Sequence, residues 1–178
     1  MKKIFTMVFV AGLLCATIPA LAQKEGKLVS VGFGVETGIP VGNAADVFNF
    51  NIGFTARVSV LAGPGYATFT TGGLIMIPKN LAESNSIKAG AQIPFKAGYK
   101  YIIAQRFFVM GELGYSIFKS YYDVGDDSHI VSTSSGGFTY APSIGVNFGV
   151  TELALRYESI GLSGGHVDYL GFRAGFNF

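Results

Sequence analysis

The sequence predicts an all-β chain: an eight-stranded, antiparallel, up-and-down transmembrane β-barrel that follows a cleaved signal peptide. Three observations carry this. First, the chain is 49% hydrophobic with 25 glycines, yet after residue 22 it holds no apolar run approaching the ~20 residues a membrane helix needs. Second, its apolar residues recur at every other position through segment after segment, the period of a strand with one apolar face. Third, the charged residues within those segments fall on the opposite face.

The N-terminus is read first, because it changes the totals. Met1-Lys2-Lys3, an apolar run from Ile4 to Ile18 and the small-x-small triplet Ala20-Leu21-Ala22 have the layout of a secretory signal peptide. Cleavage is expected between Ala22 and Gln23, giving a signal peptide over 1–22 and one barrel domain over 23–178. An uncleaved anchor would need a longer apolar run and no cleavage site. A lipid anchor on Cys15 fits poorly, since Leu14 stands where a small residue belongs. Loss of Lys2 and Lys3 brings the 13 basic residues level with the 11 acidic ones. A neutral chain gives nucleic-acid binding no electrostatic footing. The single cysteine leaves as well, and with it disulfide and thiol chemistry.

The strands follow in order. Val29 to Ile39 sets Val29, Val31, Phe33, Val35, Thr37 and Ile39 against Ser30, Gly32, Gly34, Glu36 and Gly38, and ends at Pro40 and Gly42. Phe50 to Leu61 alternates in the same way up to the turn Ala62-Gly63-Pro64-Gly65. Tyr66 to Ile77 places Phe69 and Ile75 outward, which turns Leu74 and Met76 inward. Pro78 to Ile87 reads as a polar loop. Lys88 to Tyr101 restores the alternation, with a bulge or bend expected at Pro94, which has no N–H to give a neighbour. Ile102 to Arg106 turns the chain into Phe107 to Phe118. Lys119 to Gly136 is expected to be the longest connection. Gly137 to Phe148, a turn at Gly149-Val150-Thr151 and a strand to Ser159 come next. A Gly-rich loop over Ile160 to Val167 leads to the last strand. There Leu170, Phe172, Ala174, Phe176 and Phe178 oppose Gly171, Arg173, Gly175 and Asn177. Connections alternate long and short, as in a barrel with short periplasmic turns and long outer loops.

Glu36, Arg57, Lys88, Lys96, Lys100, Glu112, Glu152, Arg156, Glu158 and Arg173 all lie opposite the apolar set. Lys or Arg on the lipid face at the midplane costs about 2–4 kcal/mol, so a bilayer enforces this separation. A soluble lipocalin-like binding barrel also alternates, but with its apolar set inside. Here the inner set is glycine, Ser, Thr, Asn and ions, which cannot form a hydrophobic core. Eight strands leave an interior just wide enough for side chains to fill, and the glycines leave room for long ones. An interior ion network of Glu36, Arg57, Lys96, Glu112, Arg156, Glu158 and Arg173 is therefore expected. Glu36 can approach Arg173 as the first and last strands close, and Lys96 and Glu112 lie on adjacent strands four and five.

With Gly32, Gly34, Glu36 and Gly38 spaced as Gly-x-Gly-x-Glu-x-Gly and a terminal Gly-Phe-Asn-Phe, the chain resembles the small outer-membrane β-barrel domain family of OmpA/OmpX type, in the single-domain form common among Bacteroidetes-like Gram-negatives. The resemblance covers residues 23–178 and is one of architecture. It implies location in the cell outer membrane, with outer-membrane lipid and the outer-membrane insertion machinery as partners. It also implies that Leu170, Phe172, Phe176 and Phe178 form the assembly signal that machinery reads. No peptidoglycan-binding domain follows, unlike full-length OmpA. With no Trp, the interfacial girdles fall to Phe and to Tyr99, Tyr101, Tyr115, Tyr140 and Tyr157.

Catalytic motifs fail on context. Gly161-Leu162-Ser163-Gly164-Gly165, with His166 and Asp168 near, matches Gly-x-Ser-x-Gly, but that motif needs a strand-to-helix turn and here joins two strands. His129 with Asp123, Asp126 and Asp127 lacks the spacing of a calcium loop. The early glycines are misspaced for a dinucleotide loop. No catalytic residue, metal ligand or cofactor is assigned. The expected function is a non-catalytic structural or surface-interaction role with a salt-bridged interior. A narrow gated pore, a lipid-modifying enzyme and a soluble lipocalin-like binding barrel are the alternatives.

Overall fold

The computed structural model describes residues 27–79, 87–104, 106–124 and 129–178. The expected cleavage point between Ala22 and Gln23, and Asp126 and Asp127, lie outside these residues. Eight strands form one closed antiparallel barrel in which each pairs with its sequence neighbours and β8 returns to β1. They are β1 (Val29–Val41), β2 (Phe48–Ala62), β3 (Gly65–Pro78), β4 (Ile87–Ile103), β5 (Phe107–Val124), β6 (His129–Phe148), β7 (Thr151–Leu162) and β8 (Gly165–Asn177). One short helix, α1 (Ala44–Val47), sits between β1 and β2.

The start of β1, the end of β8 and three tight turns share one end of the barrel, called the lower end below. Gly63 and Gly149 open two of those turns with φ of 62° each, the left-handed backbone that two-residue hairpins require and glycine adopts without strain. The third turn has Ala104 at φ 46°.

The expected phase of each strand holds across the barrel wall. Phe33, Phe54, Leu113, Phe138, Ile144, Leu155 and Leu170 are exposed on the outside, while Glu36, Arg57, Thr70, Gln92 and Arg173 are buried within. In β3, Leu74 and Met76 do point inward.

Two connections differ from expectation. The stretch 119–136 is mostly strand, since β5 and β6 pair as far as Val124 and His129. The stretch 160–167 is a hairpin whose turn is Ser163-Gly164, with Leu162 opposite Gly165. At Ser132 to Ser134 every residue is exposed, so nothing enforces alternation there, whereas Ile160, Leu162 and Val167 join an apolar cluster inside the upper barrel. The last upper connection is thus as short as the lower turns. Pro94 brings no bulge: its register with Ser116 is continuous, and β3 and β4 keep one register on either side of it while the ladder between them lapses. The register shifts lie at Phe48/Phe50 and Ile87/Ala89 instead.

Candidate functional site: an ion network inside the barrel

The alternation of β1, β2, β4, β5, β7 and β8 delivers nine charged side chains to the interior, all buried: Glu36, Arg57, Lys96, Lys100, Glu112, Glu152, Arg156, Glu158 and Arg173. Lys88, the tenth on the inner face by sequence, has no described side chain. The other two strands contribute hydroxyls, Thr70 from β3 and Thr139 and Ser143 from β6. Buried charges are tolerated only when paired and hydrogen-bonded.

The ions form one connected chain. Lys96 donates to Glu158 at 2.5 Å. Arg156 lies 3.1 Å from Glu158 and is paired through its guanidinium with Glu36. Arg173 reaches Glu36 at 3.4 Å and Glu152 at 2.8 Å. Glu152 also accepts from Arg57 at 2.6 Å and Lys100 at 2.5 Å. Glu112 stands between Arg57 at 3.7 Å and Arg156 at 3.8 Å, and accepts the Thr70 hydroxyl at 2.5 Å. Neutral groups complete the shell. Gln92 donates to Glu158 at 2.6 Å, and Thr55 donates to Glu36 at 2.9 Å.

Glu36 and Arg173 face each other in the β1–β8 register as expected. Lys96 and Glu112 do lie on adjacent strands, but they do not pair. In register Lys96 faces Gly114 and Gly98 faces Glu112, and Lys96 crosses the lumen to Glu158 on β7. The carboxylates of Arg173 are Glu36 and Glu152. Lys100 and Glu152 belong to the network although the sequence placed its centre elsewhere. Both sit close to the lower strand ends, and only the cross-lumen packing shows that they meet. The glycines act as space. Gly34 and Gly175 are register partners, and the Arg173 side chain lies across both: a Cβ on Gly34 would come within 2.7 Å of its Cζ.

An apolar layer covers the network above and an apolar cluster packs beside its lower part, which the inner set as read from sequence did not suggest. Above lie Phe48, Met76, Phe118, Ile160 and Tyr169, with the Phe48 and Phe118 rings edge-on at 6.1 Å. Towards the lower end Phe108, Met110 and Ala154 pack beside the network, with Lys100 4.0 Å over the Phe108 ring and donating to Asn147 at 3.0 Å. The signal was present in the inward phase of Met76, Phe108 and Met110.

The other candidates stay apart from this site. Ser163 is exposed at a strand-to-strand turn and His166 stands opposite Gly161, so no strand-to-helix elbow forms there. Leu170, Phe172, Phe176 and Phe178 are exposed on the outer wall. Among the described residues no cluster of His, Cys, Asp and Glu could hold a metal.

No protein family and no curated protein sequence matches the chain. Solved structures do. The chain is similar to Ail, the attachment invasion locus protein of Yersinia pestis, with a TM-score of 0.58 and 17% identity over 84% of this chain and 96% of that one. It is similar to the N-terminal β-barrel domain of Pseudomonas aeruginosa OprF, at 0.61 and 11% over 84% and 97%. It is also similar to Neisserial surface protein A, at 0.53 and 17% over 86% and 98%. The fold is that of the small eight-stranded outer-membrane barrels.

Proposed function

We propose that this chain is an integral outer-membrane barrel with a non-catalytic structural and surface-interaction role, its lumen closed to solutes. One observation carries the reading: the wall is inside out for a soluble protein, with its charges buried inside and its large apolar residues outside. A contiguous apolar surface of this kind is not left to water. Its height supports a bilayer. Tyr115 and Tyr140 stand eight residues above the lower ends of β5 and β6, roughly 26 Å along a strand at about 3.3 Å per residue. With a tilt of ~40°, that is about 20 Å of height, near the ~25 Å apolar band of such barrels.

Surface interaction falls to the upper hairpins. β6 runs on from Gly136 to His129 beyond the top of β7, and the likeness to a protein named for attachment and invasion supports that role. Fractionation of cells making the protein tests the reading. It should enter the outer-membrane fraction and run as a compact band without boiling and a slower one after boiling; recovery in the soluble periplasm would overturn it.

The outward row Leu170, Phe172, Phe176 and Phe178 serves as the signal for the insertion machinery. Removing Phe178 would also remove its backbone bonds to Val31, at 2.8 and 3.1 Å. Phe178→Asn keeps those bonds and changes only the aromatic. It should lower outer-membrane levels severalfold while export continues, and normal levels would refute the signal.

A further inference from the structure

A recess of about 810 Å³ opens on the outer wall across β4 to β8. Its floor is made by two outward positions without bulk, Gly111 and Pro142, which are register partners in β5 and β6. Beside Pro142 the strand pairing lapses. The β6–β7 ladder runs through Tyr140↔Ser159, resumes at Ser143↔Arg156, and pairs neither Ala141 nor Pro142. Proline has no N–H to give, so the seam lapses there. Ser143 and Arg156, where the ladder resumes, are among the residues that line the recess. Tyr99 and Tyr101 flank one side and Leu155 and Tyr157 the other.

We propose that this recess holds one hydrocarbon chain of a phospholipid from the periplasmic-facing leaflet, with the lipid phosphate at Arg106. The inference rests on the outer-membrane reading above. Position and charge select this occupant. Tyr101 and Val109 line the recess only two residues from the lower ends of β4 and β5, so it opens towards that leaflet. Arg106 lies exposed in the turn joining those strands, and its carbonyl accepts the Asn147 N–H of β6 at 2.7 Å. The cation therefore stands at the end of the β5–β6 pair that floors the recess, and Arg is well suited to phosphate. The volume lies within the roughly 300–1,000 Å³ of pockets that hold small ligands. A second copy of the chain fits worse, since a two-fold contact presents the same patch from both sides and would set recess against recess.

The test uses vesicles of equal parts phosphatidylethanolamine and phosphatidylglycerol, followed by transfer to mild detergent and native mass spectrometry. Wild type should retain one phospholipid. A Cβ at Gly111 meets no atom within 4 Å, so Gly111→Phe fills the recess without disturbing the barrel. It should cut retention at least about tenfold, equivalent to roughly 1.4 kcal/mol. Arg106→Gln should lower retention of phosphatidylglycerol severalfold. Gly73→Phe, at an equally open position on β3, should change nothing. Equal retention by wild type and Gly111→Phe, or an inserted wild type that carries no lipid, overturns the recess alone. So does a protein dimer that Gly111→Phe abolishes. A wild type that fails to float with the vesicles overturns the membrane reading, and the recess with it.

Discussion

Glu152 is the most heavily engaged carboxylate in the lumen, with Arg57, Lys100 and Arg173 all within 2.8 Å. Removing its charge leaves three buried cations short of a counter-charge, and a broken buried ion pair costs about 3–5 kcal/mol. Glu112 differs. Its two arginines stand at 3.7 and 3.8 Å and each has a closer carboxylate, so its firm contact is the Thr70 hydroxyl. Glu112→Gln keeps an oxygen for that hydroxyl and should cost about 1 kcal/mol, the scale of a single hydrogen bond. The ordering Glu152→Gln well above Glu112→Gln is checked by urea unfolding of the protein in vesicles, read as the heat-modifiable gel shift. An equal or reversed ordering would contradict the contacts described here.

At the scale of strands, the β1–β8 seam shows how residue size is matched across the closure. Arg173 turns into the lumen over Gly34 and Gly175, so a methyl group at Gly34 meets a guanidinium that is already bound to Glu152. Gly34→Ala should destabilise by about 1–3 kcal/mol, as overpacking does. In an Arg173→Ala background the same change should cost close to nothing, because the atoms it would strike are gone. Such coupling is the signature of a shared contact; additive losses would disprove it. This pairing was half legible in the sequence. Period-2 alternation showed which residues face inward wherever the wall is apolar, and closure of neighbouring strands let Glu36 approach Arg173, which the register then sets directly opposite. It could not give Lys96 its partner, since Glu158 lies across the lumen on β7 and no strand pairing encodes that distance. It also failed over 119–136, where Ser132, Thr133 and Ser134 are all exposed, and over 160–167, where Ile160 is buried in the upper apolar cluster with Leu162 and Val167 against it.

For the barrel as a whole, the question is whether the lumen conducts. A narrow pore would need a continuous wet path, and the ion chain and two apolar clusters oppose one. The ion chain spans the interior from Lys96 on β4 to Arg173 on β8, and each carboxylate in it is held by at least two neighbours. Above it Phe48, Phe118, Met76 and Ile160 offer only apolar side chains and the Tyr169 hydroxyl is turned to Gln92, while Phe108, Met110 and Ala154 add apolar bulk beside its lower part. Desolvating an ion without polar partners is prohibitive. Wild type in a planar bilayer should therefore show no reproducible conductance steps. Cutting only the lower cluster, with Phe108→Ala and Met110→Ala together, should still give none, because the ion chain and the upper layer remain. Opening requires loss of charge pairing as well as apolar bulk, so Phe108→Ala and Met110→Ala combined with Glu152→Gln should be the first variant to leak. Stable steps from the wild type that change size with Glu152→Gln would replace the closed barrel with a gated pore.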